Sequence, residues 1–354
     1  MNKIKNLTLT IIFEGSALNR DEKIGGNILS IKKLNIDDEV YSFIGKPAIR
    51  HYLFQTLNKL DGEYWKPTPT ILQGRGDQQT VQFDLTKGDI LEYPEIDIFG
   101  YMFTIEGERA LTRKSPLGIT KAISLIGYES DISFYSNHDL VSRTRLIGEY
   151  VQPNIYNKEE HSSFYKLSFT LDTDLIGKDT WILENEPKVN GDSLIIILSK
   201  NNVKEIKGEK IEENQFKTEK GIIKWEKVNK LYKITFIAND EEIKKRIRNI
   251  LYVIKNGFYS QSSGELNTIV PLFLIAAAVK VPSPIIHPYV NLIKDENSKR
   301  KVLGLNDILK NSWIEILDNK KLIFVQDSER IPMPKEIEGK VLENFDEFLN
   351  LIDL

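Results

Sequence analysis

Residues 5–13, KNLTLTIIF, fix the first element by their period. Leu7, Leu9, Ile11 and Phe13 take alternate positions, with Thr8, Thr10 and Ile12 between them. A repeat of two, rich in β-branched residues, fits a pleated strand and not a helix. The alternation then gives way to Asn19-Arg20-Asp21-Glu22-Lys23, followed by Gly25-Gly26-Asn27. Five polar side chains just beyond a core strand make either a solvated turn or a loop that holds something charged. A second repeat of two, residues 163–177 (SFYKLSFTLDTDLIG), predicts another core strand. Helical spacing appears twice. In residues 42–60, Ile49, Leu53, Leu57 and Leu60 form a stripe, and Pro47 suits a first turn. In residues 239–258, Ile243, Ile247, Ile250, Leu251, Ile254 and Phe258 line one face, with Asn239 or Asp240 as cap and Gly257 as stop.

The segments between are weaker. Residues 61–95, rich in Gly, Pro, Gln and Asp, read as an irregular insertion with one hairpin. Residues 95–107 (EIDIFGYMFTIEG) read as a strand with a central glycine, and 115–130 as a short apolar segment. Residues 131–161 show few regular features. The mixed Lys/Glu stretch 200–233 reads as a solvated insertion or exposed hairpin. A polar loop, YSQSSGELN (259–267), precedes the longest apolar run, TIVPLFLIAAAVKV (268–281). That run is short of the about 20 residues a bilayer span needs, and Pro271 interrupts it, so a buried strand pair is expected. The last residues are acidic: Glu336, Glu338, Glu343, Asp346, Glu347 and Asp353 stand against Lys335 and Lys340. The order strand, helix, strand, interrupted strands, helix, strand is compatible with a ferredoxin-like βαββαβ core carrying large insertions, among other α+β folds.

Of 354 residues, 41% are apolar, enough for a real core, and the net charge is −3. Nucleic-acid binding would therefore need local basic patches. There is no cysteine, which excludes disulfides and thiolate metal sites and fits a cytoplasmic protein. The N-terminus does not read as a signal peptide. His51, His138, His161 and His287 lack metal-ligand spacing, and no common hydrolase or P-loop motif occurs. Asp21 with Glu22 could hold Mg²⁺, though adjacent carboxylates are common in surface loops. Arg20, Lys23, Lys32, Lys33, Lys46 and Arg50 can converge on one sheet edge in a strand-loop-helix unit, where a helix start favours anions. Arg50 lies off the apolar stripe and is expected to be free for a ligand. The residues alone leave phosphate binding and plain solvation both open. FGYMF, 99–103, lacks the basic-aromatic RNP pattern and reads as core aromatics.

LNRDE after the first strand, GKPAIRHYL at the first helix, DIFGYMF, RKSPLGITKAISL and EHSSFYKLSFTLD, in that order, resemble the CRISPR-associated Cascade backbone subunit, type I-B, DevR-like branch. The resemblance spans roughly residues 5–290, and 190–232 and 295–354 match least. It implies an α+β fold with a single discontinuous RNA-recognition-like (ferredoxin-like) palm over 1–354. A finger-like insertion falls at 61–95, a thumb at 129–163, a charged insertion at 188–232 and a C-terminal extension at 295–354. It implies copies stacked along a CRISPR guide RNA, gripping its backbone. The thumb displaces a base at intervals while the others pair with target DNA. Asn19, Arg20 and Lys23 would lie near the guide backbone, and Arg50, with Lys46, would hold phosphate. Met102 would lean on bases. Phe134 and Tyr135 would lie near the displaced base, with Arg143 and Arg145 on the same thumb, and Ser260, Gln261 and Ser262 would sit in the palm. Pro47-Ala48-Ile49 replaces part of the charge the family often carries at this helix. The implied partners are guide RNA, target DNA through the guide, other copies of the chain and other Cascade subunits, with no membrane and no cofactor. Two rivals remain: a metal-dependent target-RNA endonuclease of the type III backbone kind, using Asp21, and an RNA-binding autoregulator.

Overall fold

The computed structural model describes residues 5–16, 28–74, 76, 79–104, 110–145, 152–153, 155–200, 202–262, 265–296 and 299–354. Its helices, among the described residues, are α1 (Lys46–Leu60), α2 (Pro94–Phe99), α3 (His138–Arg145), α4 (Asp240–Asn256), α5 (Leu305–Ile308) and α6 (Phe345–Leu351).

The period-two segments do form the central strands. Asn6–Ser16 lies between Ser162–Leu171 and Pro271–Val279, antiparallel to both, with Leu9 opposite Phe169 and Ala276. Ala122–Ser124 and Leu117–Ile119 pair with the far side of Ser162–Leu171. Glu39–Ile44, Lys33–Ile36 and Ile323–Gln326 complete an eight-stranded antiparallel sheet. In chain order, α1 falls between the first strand and Leu117–Ser124, and α4 between Ser162–Leu171 and Pro271–Val279.

Both faces of the sheet carry a core. On one, Leu7, Leu9, Ile11 and Phe13 join Tyr165, Leu167 and Phe169 against Leu53 of α1, Ile250 of α4 and Phe348 of α6. On the other, Ile12, Phe164, Phe273 and Ile275 pack against Ile286, Val290, Val302 and Ile331 from the C-terminal region. Double-sided burial explains why Pro271–Val279 is apolar at nearly every position. The 268–281 run thus makes two strands that pair elsewhere, not with each other. Glu265–Ile269 forms a hairpin with Phe258–Ser262, so the expected polar loop is itself a strand pair.

Other expectations are revised. Residues 94–99 are a helix rather than a strand, started by Pro94 and ended at Gly100, whose φ of 70° suits glycine. Leu60 is 72% exposed and leaves the α1 stripe. The stretch 200–233 is not simply solvated. Its strands put most Lys and Glu outward and Phe216, Ile223 and Trp225 inward, joining Trp181, Leu194 and Tyr101 in a second core, while Lys204 is buried against Asp89 at 3.0 Å. Residues 131–160, expected to be irregular, form the hairpin Asp131–Ser136/Ile155–Glu160 with α3 at its tip. The acidic end docks through Phe345, Phe348 and Leu349 of α6, capped by Asn344, whose Oδ1 accepts from Glu347 N at 3.0 Å.

Where the two cores meet, charge is buried. Asp97 receives Arg246 Nη1 at 2.7 Å, Arg113 Nη2, and Gly177 N at 3.0 Å. Arg246 also donates to Leu91 O at 3.1 Å, and Arg113 to Leu175 O at 2.7 Å. Each guanidinium thus has a carboxylate and carbonyls around it, the condition for tolerating burial. No helix among the described residues is long and apolar enough to cross a membrane.

Candidate nucleic-acid interface

The first strand ends at Ser16 against the 258–269 hairpin. Ser16 N donates to Asn267 Oδ1 at 2.9 Å, Asn267 Nδ2 donates back to Ser16 O, and Thr268 Oγ1 donates to Glu14 O at 3.2 Å. Gly15 is needed here, because a Cβ would meet Asn267 Oδ1 at 2.5 Å. Beyond residues 17–27 the described chain resumes at Ile28–Leu29. This strand pairs in parallel with Ile155–Glu160, Ile28 opposite Asn157. Both ends of the polar loop are therefore held on one rim.

Glu159 ties that rim together. Its Oε2 accepts from Ser30 Oγ at 2.6 Å and Ile31 N at 3.0 Å, and its Oε1 from Lys33 Nζ at 2.5 Å and Tyr128 OH at 2.8 Å. Burial alone would raise this carboxyl's pKa, but Lys33, Ser30, Tyr128 and the Ile31 amide together lower it to about 2. Behind it, Ser42 Oγ lies 2.7 Å from His161 Nδ1 and 2.8 Å from the Tyr165 hydroxyl. Burial pushes the His161 imidazole below its ordinary pKa.

The hairpin rooted there has two unlike faces. Ile132, Phe134 and Ile155 project from one, with Phe134 62% exposed. On the other, Tyr135 stacks on Tyr156 with centroids 5.4 Å apart. Lys158 Nζ lies 4.8 Å from the Tyr135 ring and 3.1 Å from Glu265 of the neighbouring hairpin. The Tyr135 hydroxyl donates to Glu160.

The sequence-predicted residues are spread over several places. Asn19, Arg20 and Lys23, with Asp21 and Glu22, lie outside the described residues. Tyr135, Ser260 and Gln261 belong to the rim elements. Ser260 is buried, its Oγ without a hydrogen-bond partner among the described residues. Gln261 is exposed and accepts from the Tyr259 hydroxyl. Arg143, on α3, pairs at 2.6 Å with Asp139, both well exposed. The side chains of Arg145 and Ser262 lie outside the described residues. Phe134's exposure excludes a core role for it. Lys46 is exposed in the first turn of α1, which carries no acidic residue, so the positive end of its dipole is not neutralised there. Met102 is also exposed, between buried Tyr101 and Phe103.

Arg50 is corrected in one respect: it is not free. Its Nη2 lies 3.3 Å from Glu95, and its guanidinium sits 4.8 Å from the Phe99 ring. Glu95 in turn accepts from Thr68 N at 2.9 Å. Sequence reasoning also missed Tyr156, Lys158 and Glu159. Their signal was a repeat of two through 155–160 that places Tyr156 and Lys158 on one face and Glu159 on the other. Among the described residues no group of three or more His, Asp or Glu is placed to hold a metal.

A family model described as CRISPR-associated negative auto-regulator DevR/Csa2 matches residues 7–298. Comparison with individually curated proteins gives no match. Among solved structures, a chain of a "CRISPR RNA-guided surveillance complex, pre-nicking" superposes with a TM-score of 0.55 at 7% identity, covering 98% of this chain and 99% of that one. A chain of a "CRISPR RNA-guided surveillance complex" gives 0.50 at 9% identity, covering 98% of each. At such identities the likeness is one of fold.

Proposed function

Because the chain belongs to the CRISPR-associated DevR/Csa2 family, we propose that it is a non-catalytic backbone subunit of a Cascade-type surveillance complex in the cytoplasm. In this reading it binds guide RNA, stacks with other copies of itself and other Cascade subunits, and presents the guide for pairing with target DNA in antiviral defence. The strand order Pro271–Val279, Asn6–Ser16, Ser162–Leu171, Leu117–Ser124, with α1 and α4 as crossovers, supports a ferredoxin-like palm. Both of its faces are covered, so the RNA runs along the rim rather than across an open sheet. The hairpin at 131–160 is the thumb.

The observation that carries this reading is the pairing of a rigid root with an exposed tip. Glu159 fixes the hairpin to the strand leaving the charged loop, while Phe134 is left in solvent on the face opposite the Tyr135–Tyr156 stack. Exposed aromatics with nearby cations suit base stacking. Stacking of copies would be heterologous and open-ended.

The test is binding of single-stranded RNA by the purified chain, and recovery of RNA bound on purification. Arg20→Glu and Lys46→Glu should weaken binding whatever the RNA sequence and flatten its salt dependence. Unchanged affinity in both would remove the phosphate track. Mg²⁺-dependent target-RNA cleavage lost in Asp21→Ala would replace this reading with the endonuclease one.

A further inference from the structure

The C-terminal region, which the sequence left without a role, brings two arginines to the end of the first strand. Arg300 and Arg330 place their guanidinium carbons 4.8 and 5.5 Å from the ring of Phe164. Phe164 stands opposite Glu14 across the sheet, two residues before Ser16. Arg330 holds Glu14 through two bonds, 2.6 and 3.1 Å. The Arg330 bond, and after it the charge of Arg300, lower the Glu14 pKa; beyond that attraction neither Arg300 nor Lys294 makes a salt bridge among the described residues.

These two cations stand opposite each other. In the hairpin Asn291–Lys294/Arg300–Leu303, Lys294 is directly opposite Arg300. Like charges at directly opposed positions of an antiparallel pair destabilise it. Lys299 adds a further exposed cation beside Arg300. A chain of net charge −3 therefore brings Lys294, Arg300 and Arg330 to the end of its first strand, where Glu14 serves both arginines and Asp295 and Glu296 follow Lys294, and the direct Lys294–Arg300 repulsion across the hairpin remains. A bound anion would relieve it. The Arg300 guanidinium, held over the Phe164 ring, keeps its N–H edges available for phosphate oxygens, while those of Arg330 are engaged by Glu14. The Glu14 carbonyl is also bonded to Thr268 of the rim hairpin, so the patch adjoins the rim from the other face of the sheet.

We propose that Lys294, Arg300 and Arg330 form a second phosphodiester-binding patch, with Glu14 as a carboxylate that occupies Arg330 until RNA displaces it. The proposal rests on the guide-RNA reading. It extends the RNA-binding surface to a segment with little family resemblance.

A fluorescein-labelled single-stranded RNA of mixed sequence, titrated against the full chain at several salt concentrations, tests it. Lys294→Glu and Arg300→Glu should each weaken binding roughly tenfold, the order of one charge-assisted hydrogen bond. The slope of log affinity against log salt should become shallower by about 0.7 for each phosphate no longer neutralised. Glu14→Gln should tighten binding, because it frees Arg330. If the original chain binds no RNA, the guide-RNA reading fails and the patch falls with it. If it binds and neither cation variant changes affinity or slope, the patch alone is overturned. Should either variant melt early, Glu14→Gln decides: tighter binding supports the patch, equal or weaker binding overturns it.

Discussion

The junction between the two cores and the rim around the 131–160 hairpin both rely on cationic side chains, in opposite ways. At the junction Arg246 and Arg113 are buried, and their hydrogen-bonding edges are taken up by Asp97 and backbone carbonyls. At the rim Arg143 is answered by one equally exposed aspartate in its own helix. An exposed i, i+4 pair of that kind contributes about 0.3–0.5 kcal/mol and gives way readily to a ligand. Availability for a ligand is thus set by what surrounds a basic residue. Arg50 stands between the extremes, a third exposed yet engaged with Glu95 and Phe99.

Asp97→Asn should break the junction most severely. The amide keeps the shape but leaves two buried guanidinium groups without their shared counter-charge, a loss of about 3–5 kcal/mol. Denaturant unfolding monitored by tryptophan fluorescence reads it. A loss below about 1 kcal/mol would show that the junction does not depend on charge and would erase the contrast with the rim.

Glu159→Gln should act locally. The amide removes the ionic acceptor from Lys33 and turns a donor toward one of the four groups now bonded there, costing roughly 1–3 kcal/mol. Hydrogen exchange should speed up at 28–31 and 155–160 while α4 stays protected. Uniform acceleration would mean that Glu159 supports the whole fold rather than the root of the 131–160 hairpin.

These two carboxylates also show what the sequence could and could not convey. The core strands and α4 were legible because burial writes a period into the chain, visible in Leu7-Leu9-Ile11-Phe13 and in Ile243-Ile247-Ile250-Ile254. The second core was misread because its strands alternate Lys and Glu with single apolar residues, and the charged majority masked Phe216 and Trp225. Asp97 sat inside a segment mistaken for a strand, and its partners lie 16 and 149 residues away. No local pattern carries a pairing of that length. The hairpin at 131–160 was not read from period, and the division of its two faces became visible only with the register of Phe134 opposite Asn157.

A smaller effect separates His287 and His161 from the rest of the rim by pH. Burial, with Lys166 nearby, lowers the pKa of His287 from 6.5 to about 4, and its Nδ1 lies 2.7 Å from Ser168 Oγ. The folded state therefore refuses a proton that the unfolded chain accepts. Stability from this group is full above pH 6.5 and declines as pH falls toward 4. Thermal melting across that window should be less pH-dependent in His287→Gln. The shift of His161 acts in the same direction, so a residual slope should remain. An unchanged slope in His287→Gln would mean that His287 is not held neutral by the fold.

The smallest effect on the fold is expected at Phe134, and there the comparison is sharpest. A side chain 62% exposed on a hairpin face contributes little to stability, so Phe134→Ala should move it by no more than about 0.5 kcal/mol. If the ring stacks on a base, RNA binding should lose about 1–3 kcal/mol, the usual worth of one base-aromatic stack. The two readouts diverge, which Asp97→Asn cannot achieve, since there any loss of RNA binding would follow unfolding. A fluorescent base analogue placed along the RNA gives a direct view: positions that brighten with the original chain, as displaced bases do, should stay quenched with Phe134→Ala. A sharp fall in melting temperature of the RNA-free variant would show that Phe134 packs against the protein in solution. It would then belong with Arg113 and Arg246, among the residues the fold consumes, and Tyr135 with Tyr156 would become the stacking surface to test next.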